Sequence, residues 1–232
     1  MKFVSVENIS AGYGKKQVLF DVSFEMQEGE TTLIIGSNGS GKSTLLKVIY
    51  GLLKPWNSEA KIIFNNEDIT NNKPAQLIKK GMVYIPQQNE LFEDLTVIEN
   101  IEIAGMQTVA KKELKNRIEE VLEQLPLLKD LTKRECSRLS GGERKQVSMA
   151  MALINRPVLI IFNEPLAGVS PKNLKDIILQ LKNLKNIGIS ILLVEHRVKN
   201  VFDIADKVIG LKLGKVFSKQ LSSIEHINEV MV

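Results

Sequence analysis

ETTLIIGSNGSGKSTLLKVIYG, residues 30–51, decides how the rest of the chain is read. A continuously apolar run, of the kind that forms a strand buried on both faces, ends at Gly36, and a helix begins inside GKSTLLKVIYGLL. Between them GSNGSGKS, residues 36–43, matches G-x-x-x-x-G-K-[ST] in the context the motif needs, after a strand and opening a helix. Glycines at 36, 39 and 41 let the backbone wrap so that successive N–H groups point inward, and the positive end of the helix adds to the attraction for phosphate. Lys42 is then placed to reach terminal phosphates and the Ser43 hydroxyl to ligate Mg²⁺, with Ser37, Asn38, Ser40 and Thr44 completing the loop. The alternative is a glycine-rich turn with a structural role only. Such loops serve kinases, switches, motors and transporters alike, so a second motif has to decide the use.

Outward from the loop, the pattern changes twice. KFVSVENIS and QVLFDVSFEM alternate like strands separated by the glycine-rich AGYGKK, with QEGE before the strand ETTLII. KIIF and GMVYIPQQ read as further strands, and in DLTVIENIEIAG the spacing of Thr96 and Glu99 is that of a capping box, so a helix starts there. VAKKELKNRIEEVLEQL carries Leu114, Ile118, Val121, Leu122 and Leu125 on one helical face. Strand and helix then alternate again: VLIIF, PKNLKDIILQLKNLKN with a stripe of Leu174, Ile177, Ile178, Leu181 and Leu184, ISILLVEH, KNVFDIADK and KVIGLKLGK. Buried strands alternating with amphipathic helices predict an α/β fold with a mostly parallel sheet covered on both faces.

The 232 residues suffice for one large core with an appendage, and 44% hydrophobic with 25% charged residues is ordinary for a globular protein. A net charge of +4 from scattered lysines fits an anionic ligand or a solvated basic surface equally well. One cysteine, Cys136, excludes an intrachain disulfide framework and multi-cysteine metal sites, and with no histidine beside it in sequence we expect it to be inert. His196 and His226 are too few and too far apart to mark a metal site. MKFVSVENIS does not read as a signal peptide, and no apolar run approaches the roughly 20 residues of a membrane helix. The expectation is therefore a cytoplasmic chain, held at a membrane only through partners.

RLSGGERKQVSMAMALINRP supplies the second motif. The S-x-x-E spacing of Ser140 and Glu143 caps a helix whose electropositive N-terminus is left unobstructed by Gly141 and Gly142, which makes a second anion site. A capped helix with nothing bound is the bland alternative. Taken with the P-loop and with the strand LIIFNEP, residues 159–165, the motifs in this order resemble the ATP-binding-cassette ATPases over nearly the whole chain. That resemblance implies a P-loop NTPase (RecA-like) core, an N-terminal antiparallel β subdomain and an inserted α-helical subdomain, with core 1–88 and 145–232 and helical segment about 89–144.

The resemblance also implies roles. ATP would be sandwiched between two head-to-tail protomers, Ser140, Gly141, Gly142 and Glu143 of one meeting the γ-phosphate held by the other. Tyr13 resembles the aromatic that stacks on adenine, with Val18 beside it, and Gln87 the glutamine that reaches Mg²⁺, although Gln88 competes for that assignment. AGVSP, residues 167–171, resembles the loop between the two sites, with Ser170 capping a helix that has Pro171 at its first position. His196 matches the switch histidine of the γ-phosphate. YIPQQNELFEDLTVIENI, AGVSP and VEHRV are most similar to the smaller ATPase of branched-chain amino-acid importers, with relatives that import amides or export lipopolysaccharide. Implied partners are a second ATPase subunit, transmembrane permease subunits docking on the helical segment at the inner face of the membrane and, indirectly, a substrate-binding protein. Soluble cassette ATPases of translation, DNA repair or iron–sulfur assembly are the alternative; they usually carry paired cassettes, coiled coils or zinc modules, none visible here, and no nucleic acid is expected.

Two departures from the family pattern stand out. Where the family has an aspartate holding Mg²⁺ through water, before the water-activating Glu164, this chain has Asn163, which keeps the size and one acceptor but lacks the charge. A natural weakening offset by a competent paired subunit, a site in which Glu164 and Gln87 suffice, and a substitution introduced to trap the ATP-bound clamp all fit. Met151 stands where the family often has an arginine, which bears on local packing or an internal ion pair and not on the phosphate chemistry.

Overall fold

The computed structural model describes residues 2–88 and 91–218; His226 lies outside them. Strands β1 (Lys2–Tyr13) and β2 (Lys16–Gln27) pair antiparallel, and β3 (Thr31–Ile35) then leaves the hairpin for a second sheet. Helix α1 (Lys42–Ile49) follows the P-loop, and β4 (Lys61–Phe64) with β5 (Glu67–Asp68) returns to the first sheet, completing the order β2-β1-β4-β5. Next come α2 (Pro74–Lys79), β6 (Met82–Ile85), α3 (Val97–Gly105), α4 (Lys111–Gln124) and α5 (Gly141–Leu153). The last third is β7 (Leu159–Asn163), α6 (Pro171–Asn186), β8 (Ser190–Val194), α7 (Val198–Val201), β9 (Lys207–Lys212) and β10 (Lys215–Ser218).

The second sheet has the order β10-β9-β3-β8-β7-β6, parallel except for the terminal hairpin of β9 with β10. Its central strands are apolar through their middles for a reason the burial makes plain. On one face Leu33, Ile35, Ile160, Phe162, Ile191 and Leu193 pack with the middle and C-terminal helices, including Ile101, Val121, Val147, Ile177 and Leu181. On the other face Ile34, Leu159, Ile161, Leu192 and Val194 pack with α1 and the first sheet, including Leu45, Ile49, Val4 and Phe64. A side-chain period of two thus fills two cores from one strand. Residue 144 lies within α5, and α3, α4 and the main sheet share one apolar cluster.

Thr96 caps α3 as expected, its hydroxyl accepting from the Glu99 N–H and its own N–H donating to the Glu99 carboxylate. Three features escape the pattern. KNVFDIADK is not one helix: α7 stops at Val201 and a 3₁₀ turn, Phe202–Ile204, continues it. Helix α2 is a short, mostly exposed turn of helix begun by Pro74, and β10 is a short edge strand formed because the chain reverses at Leu213 and Gly214, both at positive φ. Ser170 does occupy the N-cap of α6 with Pro171 next, but its side chain makes no cap hydrogen bond.

Cys136 is 0% exposed, its sulfur accepts an N–H from Asn100, and burial raises its thiol pKa. A thiol reagent therefore should leave the folded protein unmodified at neutral pH and label one equivalent after denaturation; rapid labelling of the native protein would show that the region around α3 opens.

Candidate functional site

The loops that carry the candidate site residues leave the C-terminal ends of the parallel strands β3, β6, β7 and β8, the edge at which open α/β sheets bind ligands. The P-loop leaves β3 between β8 and β9. Gly36 is required there by space: a Cβ would lie 2.1 Å from the Leu211 carbonyl oxygen and 2.7 Å from Ser40 Oγ. Gly41, at φ 104°, turns the chain into α1, and a Cβ would lie 2.7 Å from Leu19. Lys42, only 5% exposed, folds back so that its ammonium donates to the carbonyls of Gly36 at 2.9 Å and Ser37 at 3.0 Å. Burial pulls that ammonium below the ordinary lysine range, and the charge of Glu164 opposes the shift.

At the end of β7, Asn163 is buried and its Oδ1 accepts from Ser43 Oγ at 3.1 Å, while its Nδ2 donates to the Tyr84 hydroxyl at 3.3 Å. Glu164 takes φ +56°, a left-handed conformation uncommon outside glycine. Its own N–H bonds to Val194 O at 2.9 Å, and both carboxylate oxygens are held: Gln87 Nε2 donates to Oε2 at 2.6 Å, and His196 Nε2 lies 2.8 Å from Oε1. The structure thus brings Lys42, Ser43, Asn163, Glu164, Gln87 and His196 together from four separate segments.

A cavity of about 480 Å³ opens over four of these groups, with Asn38, Gly39, Lys42, Ser43, Thr44, Glu164 and His196 along it and Val18, Phe20 and Leu213 as apolar wall, while Asn163 and Gln87 are not among its lining residues. Tyr13, 48% exposed with Lys47 Nζ 5.8 Å from its ring centroid, is not among the lining residues. Phe20, Leu213, Lys16 and Gln17 line the cavity without having been singled out from sequence, since β2 and the β9–β10 turn reach it only through the fold.

These residues fit a polyphosphate and a hard cation. Ser40 Oγ is buried without a hydrogen-bond partner beside a glycine cradle that tolerates no side chain. The candidate metal groups, Ser43, Gln87 and Asn163, are oxygen donors suited to Mg²⁺, which keeps several of its own waters. Among the described residues no group of three or more His, Cys, Asp or Glu forms a self-sufficient metal cage.

The second motif lies elsewhere. Ser140 and Glu143 form the capping box of α5, with the Ser140 N–H donating to Glu143 Oε2 at 2.7 Å and the Glu143 N–H to Ser140 Oγ at 3.4 Å. Gly141 packs against the Gly168 carbonyl, where a Cβ would come within 2.6 Å, and Gly142 against Asn173. Gly141 lines a separate cavity of about 410 Å³ with Gln87, Gln88, Arg144, Lys145 and Gly168. Within one protomer, then, the signature and the P-loop face different spaces.

The Ser140 backbone N–H is the main reason that the Glu143 carboxyl is held below its ordinary value of 4.5. The stabilisation is complete above that pH and is lost as pH falls through the lowered folded value. Glu143→Ala should cost about 1 kcal/mol in urea unfolding at neutral pH, with a smaller difference from the parent in strong acid, where Glu143 is protonated and its bond from the Ser140 N–H is weakened.

Residues 19–167 match the family model described as ABC transporter. The chain is 38% identical over 209 residues to a probable branched-chain amino acid transport ATP-binding protein, LivF, of Archaeoglobus fulgidus, covering 90% of this chain and 87% of that one. It resembles the crystal structure of a nucleotide-free ATP-binding cassette from an ABC transporter, with TM-score 0.89, 33% identity, and 99% and 96% of the two chains covered. It is also similar to a dimeric post-hydrolysis cassette bound to ADP and phosphate, with TM-score 0.81, 27% identity, and 95% and 100% covered. The chain belongs to the ABC transporter family, as an ATP-binding subunit.

Proposed function

We propose that this ATPase drives a branched-chain amino-acid importer by ATP-dependent head-to-tail dimerisation, and that Asn163 lowers its rate of hydrolysis. The observation that carries the reading is the convergence of Lys42, Ser43, Glu164 and His196 on one cavity while the capped helix of Ser140 opens on another. Two copies arranged head to tail would place each Ser140–Gly142 segment opposite the other's P-loop. The dimeric relative bound to ADP and phosphate supports dimerisation, and the name of the A. fulgidus relative supports the transported class.

The loop amides and Lys42 would bind the β- and γ-phosphates, Lys42 exchanging its two carbonyl partners for phosphate oxygens. Ser43, Gln87 and, through water, Asn163 would hold Mg²⁺, which when bound neutralises phosphate charge. Glu164 is placed as the general base for the attacking water, and His196 as the group that orients the γ-phosphate. Each Glu164 oxygen accepts a single contact, which leaves a lone pair on it for the attacking water. The helical segment, about 89–144, is the proposed docking element for permease subunits. Among the described residues no helix is long and apolar enough to cross a membrane, so attachment at its inner face would come through those partners.

Asn163 is held with its oxygen towards Ser43 by the bond from its amide to Tyr84. It therefore offers one neutral acceptor where a carboxylate would add a full charge beside the cation.

Asn163→Asp should raise Mg²⁺ affinity about tenfold to a hundredfold and increase turnover with it. Equal metal titrations and equal ATPase rates in the two proteins would overturn this account of Asn163. Glu164→Gln should abolish turnover, retain ATP binding and, with ATP, elute at twice the protomer mass; persistent turnover would remove Glu164 as base, and a strictly monomeric ATP-bound form would remove the dimer. Recovery of no integral membrane protein on purification from membranes would favour the soluble cassette ATPases.

A further inference from the structure

Glu195 follows β8 directly and is 2% exposed, yet the phosphate and metal chemistry above makes no use of it. Its carboxylate accepts three backbone N–H groups: Leu166 on Oε2 at 3.0 Å, and His196 at 2.8 Å and Arg197 at 3.0 Å on Oε1. Leu166 belongs to the loop that carries Glu164 out of β7, so one side chain bridges the loops at the ends of two adjacent strands. Two further contacts cross between the same loops, His196 to Glu164 and Arg197 Nη1 donating to the Val169 carbonyl at 3.4 Å. Leu166 and Val169 are themselves buried in the larger core.

A carboxylate is expensive to bury unless donors saturate it. Here the donors are main-chain amides of both loops, two of them consecutive and converging on one oxygen in the manner of an anion nest. Neither loop can shift against the other without leaving the charge or its amides unpaired. Resting on the roles proposed for Glu164 and His196, we infer that Glu195 is a positioning residue that ties loop 164–170 to loop 195–197, so that base, switch histidine and the partner-facing stretch 167–170 move as one unit.

Glu195→Gln keeps the size but offers one acceptor oxygen, enough for Leu166 or for the His196 and Arg197 pair, not for both; Glu195→Asp keeps two oxygens on a shorter stem. Amide hydrogen exchange in Glu195→Gln should speed up about tenfold in one or both loops, the loss of roughly one hydrogen bond, with β3 and α1 unchanged. ATP affinity should stay within about twofold, while turnover, measured in an Asn163→Asp background, should fall about tenfold or more through misplacement of the base, with partial recovery in Glu195→Asp. Exchange that changes nowhere or rises throughout the chain overturns the inference. So does undiminished turnover, or an ATP affinity that falls in step with turnover. Normal turnover in Glu164→Gln and His196→Ala would instead overturn the roles of those two residues, an outcome separable from the exchange result.

Discussion

The whole site depends on one constraint: the central strands are buried on both faces, so their polar side chains are confined to the two ends of each strand. β3 begins at Thr31 and Thr32 and β8 at Ser190; at the C-terminal ends β7 reaches Asn163 after Leu159 to Phe162, β8 is followed by Glu195 after Ile191 to Val194, and β3 reaches Ile35 before the loop begins. In a parallel sheet those ends share one edge, so the groups are gathered without any one of them having to reach. The two apolar clusters hold that edge in place, because shifting a strand by one residue would exchange its side chains between the two cores.

At that edge the charges are arranged to be satisfied provisionally. Lys42 spends its ammonium on two loop carbonyls, Glu164 is shared between Gln87 and His196, and Asn163 is turned towards Ser43 by Tyr84. Under the proposed function, the two carbonyls that hold Lys42 are partners that phosphate oxygens would replace. The left-handed backbone of Glu164 belongs to the same economy of position, since it turns the carboxylate back over the strand ends while its N–H bonds to β8.

Much of this was legible in the residues. The P-loop, the capping boxes at Thr96 and Ser140, the stripe on α6 and the buried strands follow from local rules of spacing and composition, and the fold contains them. Less was legible where the signal is short or the partner distant. KNVFDIADK has helical spacing over too few residues to hold one regular helix, and β10 exists only because β9 offers an edge. Tyr84 and Glu195 carry no motif of their own; the only mark on Glu195 was a carboxylate directly after ILLV, overshadowed by the histidine beside it.

Sequence alone determined which chemical groups the chain possesses and their order, because a glycine loop, a helix cap and an apolar run are local physics that a few residues specify. It also determined the missing charge at Asn163, which no fold can restore. Tertiary structure decided which groups meet: Ser43 with Asn163 across 120 positions, Gln87 with Glu164 across 77, and Leu166 with Glu195 across 29. Those meetings follow from strand order, and strand order is set by how two apolar faces are buried together, a property of the assembled sheet and of no single segment.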